Sequence, residues 1–312
     1  MTRYILFRLL DAIPTVFLVL TLVFIAMRIL PGDPALTALG PLADQAQLAI
    51  FRERMGLNDP LWLQYLKFLW DAVHLDFGTS LINDVPVRDL IIRNLPHTAY
   101  LTIVSVLMGL TVGIPLGVLA ATNRNKPADH IVRLYSLIGY AIPDFYLAAV
   151  LLVVFSLKLG WFPINGAGHG FWDGLYHIIL PAMTLALLKS AFLGRLTRTS
   201  LLEVLGRDFV RTARAKGASE TRVVYKHGLR NALLPLSTGI GISILATLSG
   251  AVAIELIFNR PGIGRLLIDA IHERDYPVIQ AGVMMFAFFV VIVNFIMDLV
   301  YVLVDPRIRM KS

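Results

Sequence analysis

The sequence predicts an all-α fold, a polytopic membrane bundle of six transmembrane helices with one small helical insertion. Three observations lead there. Only 16% of the 312 residues are charged and 57% are hydrophobic, against roughly 25% charged in soluble globular domains. Much of the exterior therefore lacks the side chains with which a surface faces water, in keeping with a mean hydropathy of +0.72. The apolar residues also gather into six runs of the length, about 20 residues, that crosses about 30 Å of hydrocarbon. Finally, the basic residues that give a formal charge of +7 sit mostly in the gaps between those runs. That is a pattern of membrane topology rather than a nucleic-acid-binding stripe. With no cysteine in the chain, disulfides and thiolate metal sites are excluded.

The elements follow in order. Arg3 and an apolar run resemble a signal peptide, but no small-residue cleavage site follows, so residues 1–30 read as a retained first span from about Leu9 to Leu30. Residues 31–96 are too long for a simple connection and carry helix punctuation of their own. Asp44 can cap a helix that reads to Met55, with Gly56 as the stop. Asp59-Pro60 opens an amphipathic stretch with Leu61, Tyr65, Phe68 and Leu69 on one face, and Pro86 starts a third helix ending near Leu95-Pro96. A small periplasmic helical cap on the outer mouth is expected. Residues 97–304 then hold five further spans, roughly Thr98–Thr122, Val132–Leu157, Ile178–Leu202, Leu233–Ile257 and Val278–Val304, and residues 305–312 form a tail.

Six spans put both termini on one side. That side carries seventeen basic residues, nine of them between Arg195 and Arg230, against nine on the other. By the positive-inside rule both termini are cytoplasmic. Charges inside the spans are costly and face a cavity or a partner. Arg28 and Glu255 lie near outer ends and are expected to snorkel. Asn294 and Asp298 are one turn apart on the sixth span, in a structural role, with Asp298 expected to meet a loop arginine. Asp144 is about 16 Å along the third span from Arg133, and Lys189 is about 9 to 13 Å in from Arg195 or Arg198 on the fourth, at 1.5 Å per residue. These depths let the two side chains meet. They are read either as facing a path, where they pair with each other or contact the termini of a zwitterionic solute, or as a lysine snorkelling inward and an aspartate satisfied by the backbone freed at Pro143. Glycines 109, 113 and 117, and glycines 239 and 241, recur at spacings that let helices approach closely in lipid. No two histidines have the i, i+4 spacing of a helical metal pair, and no metal site is expected.

The segment 206–230 is the most informative. It contains Arg211-Thr212-Ala213-Arg214-Ala215-Lys216-Gly217-Ala218-Ser219, followed by Lys226-His227-Gly228-Leu229-Arg230-Asn231 and then Leu234-Pro235. Arg211 to Lys216 reads as a short basic helix stopped by Gly217. Small residues permit close approach of a partner, and arginines supply directional hydrogen bonds to carboxylates and carbonyls.

This segment resembles the cytoplasmic signature loop of the membrane subunits of ABC importers, in which E-A-A precedes a glycine and a later Leu-Pro pair. Here Arg211-Thr212-Ala213 fills the E-A-A slot without its glutamate, Gly217 is the glycine, and Leu234-Pro235 ends the motif. The form is similar to the branch serving dipeptides, oligopeptides, glutathione, opines and nickel chelates. Leu30-Pro31-Gly32-Asp33-Pro34, Asn259-Arg260-Pro261-Gly262-Ile263-Gly264-Arg265, Arg274-Asp275-Tyr276-Pro277-Val278-Ile279-Gln280 and Asp305-Pro306-Arg307-Ile308-Arg309 match that branch as well. The resemblance implies the fold of a type I importer membrane subunit in the bacterial inner membrane. It also implies coupling through Arg211, Thr212, Ala213, Arg214, Ala215, Lys216, Gly217, Ala218 and Ser219, with Arg230 and Pro235, to two cytoplasmic ATPase subunits or domains that use ATP and Mg. The remaining expected partners are a second, homologous permease subunit, an extracytoplasmic solute-binding protein and membrane lipid. No cofactor is expected on this chain, which has no G-x-x-x-x-G-K-[ST] phosphate loop.

The leading alternative is an ion-gradient-driven secondary transporter. It predicts repeats and paired midplane carboxylates, whereas this sequence offers one such carboxylate and no visible repeat. An intramembrane enzyme would need a nucleophile–base pair or a zinc motif within spans, and neither is present. No catalytic residue is assigned.

Overall fold

The computed structural model describes residues 2–29, 34–40 and 42–304; motif residues 30–33 and the tail 305–312 lie outside them. Among the described residues the regular structure is helical, apart from one isolated bridge between Thr79 and Pro86. In chain order the helices are α1 (Thr2–Ile29), α2 (Pro34–Leu39), α3 (Gln45–Arg54), α4 (Leu61–His74), α5 (Val87–Thr122), α6 (Pro127–Ala141), α7 (Asp144–Leu151), α8 (Gly170–Leu205), α9 (Asp208–Ala215), α10 (Glu220–Arg222), α11 (Arg230–Ile257), α12 (Ile263–Glu273) and α13 (Tyr276–Val304). Two segments, Leu152–Lys158 after α7 and Val223–Leu229 before α11, wind as π-helix. Five helices, α1, α5, α8, α11 and α13, are long and apolar enough to cross a membrane, and a sixth span exists if the bent pair α6–α7 is one.

That bend corrects the expectation of one straight third span. Hydropathy runs unbroken from Val132 to Leu157, yet α6 stops at Ala141 and α7 leaves at 102° to it. The cause is Pro143, whose ring disfavours the helical region for the preceding residue. Ile142 accordingly takes extended backbone, φ −92° and ψ 122°. A second correction concerns Pro96, which was expected to end a short helix. Instead α5 runs through it without a break. Proline forfeits one backbone hydrogen bond there, but Val87, Ile91, Thr98 and Leu101 are buried along the same helix, and packing of this kind holds a helix through a single missing bond.

The chain divides into two compact units, one of residues 1–6, 99–260 and 293–312, the other of residues 7–98 and 261–292. In the first unit α8 is the hub. About 67% of its most apolar window is buried, against 11% for α13, so α8 is a core helix while most of α13 is only half-buried. Lipid tails are as apolar as leucine, so close packing rather than hydrophobicity holds such helices together. The glycine stripe on α5 provides that closeness. A Cβ on Gly113 would lie 2.8 Å from the Ser190 carbonyl oxygen of α8 and 2.9 Å from Leu193 Cβ, and Gly117 meets Thr197 and Gly194 in the same way.

In the second unit Val23 and Met27 of α1, Val87 and Ile91 of α5, Ile263 and Ala270 of α12 and Val278 of α13 form one core. Helix α3 begins after Asp44, whose N–H donates to the Gln47 side chain, and Gly56 follows its end at φ +64°. Of the expected inner face of α4, Tyr65 and Phe68 meet rings of α1, while Leu61 is exposed. Asp275 is buried between α12 and α13, where it accepts from the Ser80 hydroxyl at 2.5 Å and from the Leu81 N–H at 3.2 Å.

Candidate functional site

The exposed basic segment is a short helix on a buried footing. Helix α9 spans Asp208–Ala215, three residues earlier at its start than the expected Arg211, because Asp208 takes the first turn, where a carboxylate suits the positive end of the helix. Its C-terminus is closed by two bonds, Gly217 N–H to the Arg214 carbonyl at 2.9 Å and Ala218 N–H to the Ala213 carbonyl at 3.2 Å. That closure requires a left-handed residue, and Gly217 supplies it at φ +80°. Ser219 then caps α10, its hydroxyl accepting from the Arg222 N–H at 3.4 Å.

Val210 on α9 is buried, as are Val223, Val224 and Gly228 of the following π-helical turn. Gly228 lets that turn sit against Leu201 and Leu205 at the end of α8. Above this footing Arg211, Thr212, Arg214, Ala215, Lys216, Gly217 and Ser219 are all exposed, and Ala213 and Ala218 are half-buried. Arg214 makes a two-pronged contact with Glu220, at 2.8 and 3.1 Å. That hydrogen bond and its charge raise the arginine's pKa further above its ordinary value. Arg211 lies 3.4 Å from Asp208 on the open surface, where such a pair contributes little. Arg230 and Pro235 are exposed on α11, the latter inside the helix. The arrangement is a cationic, small-residue knob seated, through the π-helical turn, against the end of α8.

Lys189 and Asp144 meet. The lysine Nζ lies 3.6 Å from Asp144 Oδ2, with side-chain exposures of 13% and 28%. Both positions follow from the fold. Asp144 is the first residue of α7, at the Pro143 break, where its charge complements the helix N-terminus. Lys189 projects from α8, its Cβ in van der Waals range of the space above Gly109 on α5. Gly250 on α11 completes the site, because a Cβ there would lie 2.6 Å from Asp144 Oδ2. The residue was not singled out from sequence, and only the carboxylate beside it shows its role.

Polar contacts recur where α8 faces α6. Arg195 stacks 4.5 Å above the Tyr140 ring and donates to its hydroxyl at 3.0 Å. Tyr135 donates to the Leu187 carbonyl at 2.7 Å. The firmest rung is Asp129, whose two oxygens accept from Arg198 Nε at 2.5 Å and Nη2 at 2.8 Å. Asp129 is fully buried, and it also accepts from the Asn125 N–H at 2.9 Å. Sequence reasoning missed this pair. The one available signal was a lone acid at the start of a helix in a basic loop. Glu255, expected to snorkel, is instead buried, close in sequence to an equally buried Arg260. Arg260 donates to the Gly166 carbonyl at 3.4 Å, and burial lowers its pKa while Glu255 pulls the other way. Arg28 folds back over the Phe24 ring and donates to Gln64 at 2.5 Å. Among the described residues no group of three or more His, Cys, Asp or Glu is placed to hold a metal ion.

Comparison with known proteins identifies the family of the chain. The sequence matches the family described as the binding-protein-dependent transport system inner membrane component over residues 113–310, and the N-terminal family of the same membrane component over residues 1–102. It is 44% identical to the oligopeptide transport system permease protein AppB of Bacillus subtilis (strain 168), with 99% of this chain and 100% of that protein covered. It is 42% identical to the glutathione transport system permease protein GsiC of Escherichia coli (strain K12), with both covered in full. Among solved structures it is similar to the MetNI methionine ABC transporter in inward-facing conformations, at a TM-score of 0.58 and 19% identity, over 69% of this chain and 96% of that one. An amino acid ABC transporter follows at a TM-score of 0.53 and 15% identity, over 68% of this chain and 93% of that one. At such identities these likenesses show the fold alone.

Proposed function

The chain belongs to the family of inner membrane components of binding-protein-dependent transport systems, as a permease subunit of an ABC importer, and we propose that its solutes are peptides or glutathione-like compounds. Full-length relatedness to an oligopeptide permease and a glutathione permease supports this solute class. In this reading a second permease subunit completes the path, an extracytoplasmic binding protein delivers solute, and two ATPase subunits hydrolyse Mg-ATP on the cytoplasmic side with both termini. The ion-gradient alternative gains no support from the family or from the charge pattern within the spans.

The observation that carries the mechanism is the exposed α9 knob on its buried footing. Small side chains at Thr212, Ala213 and Ala215 leave room for the wall of an ATPase groove, and Arg211, Arg214 and Lys216 supply charge to its carboxylates and carbonyls. Closure of the ATPase pair then moves α9, and α8 carries the motion as one rigid body into the spans. Energetically this is a two-state element biased by nucleotide. Asp144 and Lys189 line the path in this reading, pairing while it is empty and parting to meet the charged ends of a solute.

The test combines pull-down of the ATPase partners with ATP-dependent uptake, comparing wild type with Gly217→Arg. Any side chain at φ +80° strains the backbone, and arginine adds bulk on the docking surface. Loss of both association and uptake with normal membrane insertion is expected. Uptake that persists without any ATPase would overturn the reading.

A further inference from the structure

We propose that α4 is a membrane-interface helix, its outer apolar stripe immersed in lipid, rather than part of a water-exposed cap. Trp62, Leu66, Trp70 and Val73 recur at the spacing of one helical face, and all four are exposed, at 65%, 53%, 68% and 77%. Gln64, Lys67 and Asp71 occupy the opposite arc. Between the two arcs, Tyr65, Phe68 and the buried Ala72 face inward. A water-bathed helix has no reason to present two tryptophans and two aliphatics outward, whereas tryptophan is enriched where membrane meets water.

Depth is set by the contacts with α1, whose apolar run is Leu10–Ile29. Tyr65 shares a 2.6 Å hydrogen bond with Thr21 and places its ring 5.2 Å from Phe24 and 6.4 Å from Phe17. Phe68 lies 5.7 Å from Phe24. Phe24 is five residues and Thr21 eight residues before the end of that run, or about 8 and about 12 Å below it at 1.5 Å per residue. Allowing for the reach of a tyrosine, α4 runs alongside the upper part of α1 rather than above it. Amphipathic interfacial helices bury their apolar face about 5–10 Å into the headgroup and acyl boundary, and this places α4 at that level.

Lipid is the occupant because the span packed beside α4 also presents open apolar side chains at the same depth, Leu18, Leu22 and Ile25 of α1. The polar arc is consistent with this orientation. Lys67 pairs with Asp59 at 2.6 Å. Gln64, Lys67 and Asp71 line a cleft of about 640 Å³ together with Arg28 and Asp76, so the charged side of the helix looks into a recess lined in part by charged groups. Asp71 is held above its ordinary pKa by partial burial and by Asp76. The inference is independent of solute identity and of coupling to an ATPase.

The experiment uses the assembled transporter in nanodiscs. The chain has four tryptophans, so two variants retain only Trp62 or only Trp70, the other three replaced by phenylalanine. The matching tryptophans of the partner subunits are removed or subtracted with a tryptophan-free copy of this chain. Emission is read with phosphatidylcholine brominated at shallow acyl carbons and, separately, with aqueous iodide. Loss of emission to the brominated lipid with little loss to iodide is expected for both tryptophans. Quenching by iodide would show a water-exposed cap and overturn the proposal. Protection from both quenchers would show a protein seated on the stripe and would overturn it equally. Co-purification of the partner subunits with each variant confirms that the assembly is intact before either quencher is applied.

Discussion

Replacing Asp129 by asparagine removes the one buried anion that holds the α6 end of the bundle to α8. The aspartate is 0% exposed, and Arg198, its two-pronged partner, is 17% exposed at the side chain. Deleting one member of a buried pair leaves the other charge uncompensated, at about 3–5 kcal/mol. Arg198 keeps some access to solvent, so the lower figure, ~3 kcal/mol, is the relevant one. Arg133, at 3.8 Å and half exposed, adds little. In domains of 150–250 residues 1 kcal/mol moves the melting temperature by about 2–4 °C, so Asp129→Asn should lower it by about 6 °C or more. The assay is thermal unfolding of the purified subunit in one detergent, with Arg198→Met and the double variant completing a cycle. The double variant should recover most of the loss, because no unpaired charge is then buried. A shift under about 1 °C, or a double variant no better than Asp129→Asn alone, would show that this pair does not brace the end of α8 that leads to α9.

Three further outcomes follow from the geometry. Lys189→Met and Asp144→Asn should each reduce uptake about tenfold, the worth of one charge-assisted hydrogen bond of about 1.5 kcal/mol, with ATPase association unchanged; uptake at the wild-type level in both would remove the pair from the path. Gly113→Ala should destabilise the subunit by about 1–3 kcal/mol through overpacking against the Ser190 carbonyl, whereas Gly174→Ala, whose Cβ would meet only the Ala167 carbonyl in an ordinary 3.5 Å contact, should not lower its melting temperature. Asp275→Ala should expose the amides of residues 80–83 to hydrogen exchange, because it removes the acceptor of both Ser80 and Leu81, and unchanged protection would show that the loop is held by other contacts.

The spans were legible because hydropathy over 20 residues is a property of composition, and the α9 stop was legible because a left-handed C-cap asks for glycine at one position. The break at Ile142-Pro143 was hidden by its own apolarity, although proline's restraint on the residue before it was in plain view. Pro96 misled in the opposite direction, since a single missing backbone bond is a weak term beside a buried helix face. The depth match of Asp144 and Lys189 survived the bend because Asp144 sits at the break itself, where the rise along α6 still counts. By contrast Asp129 and Arg198 are 69 residues apart, and nothing local distinguishes their pairing from other combinations in a basic loop. The closeness of α5 to a partner helix was readable from its glycines, but not that the partner is α8.

In the proposed mechanism α9 is seated in an ATPase and moves with its nucleotide state. The chain contains no cysteine, so Ala215→Cys introduces a single thiol on the exposed side of α9 without removing another. With single cysteines along the ATPase groove in the assembled, membrane-embedded transporter, a disulfide should form readily and its preferred partner position should shift between nucleotide-free and ATP-bound states. No cross-link at any groove position, with uptake intact, would contradict the account.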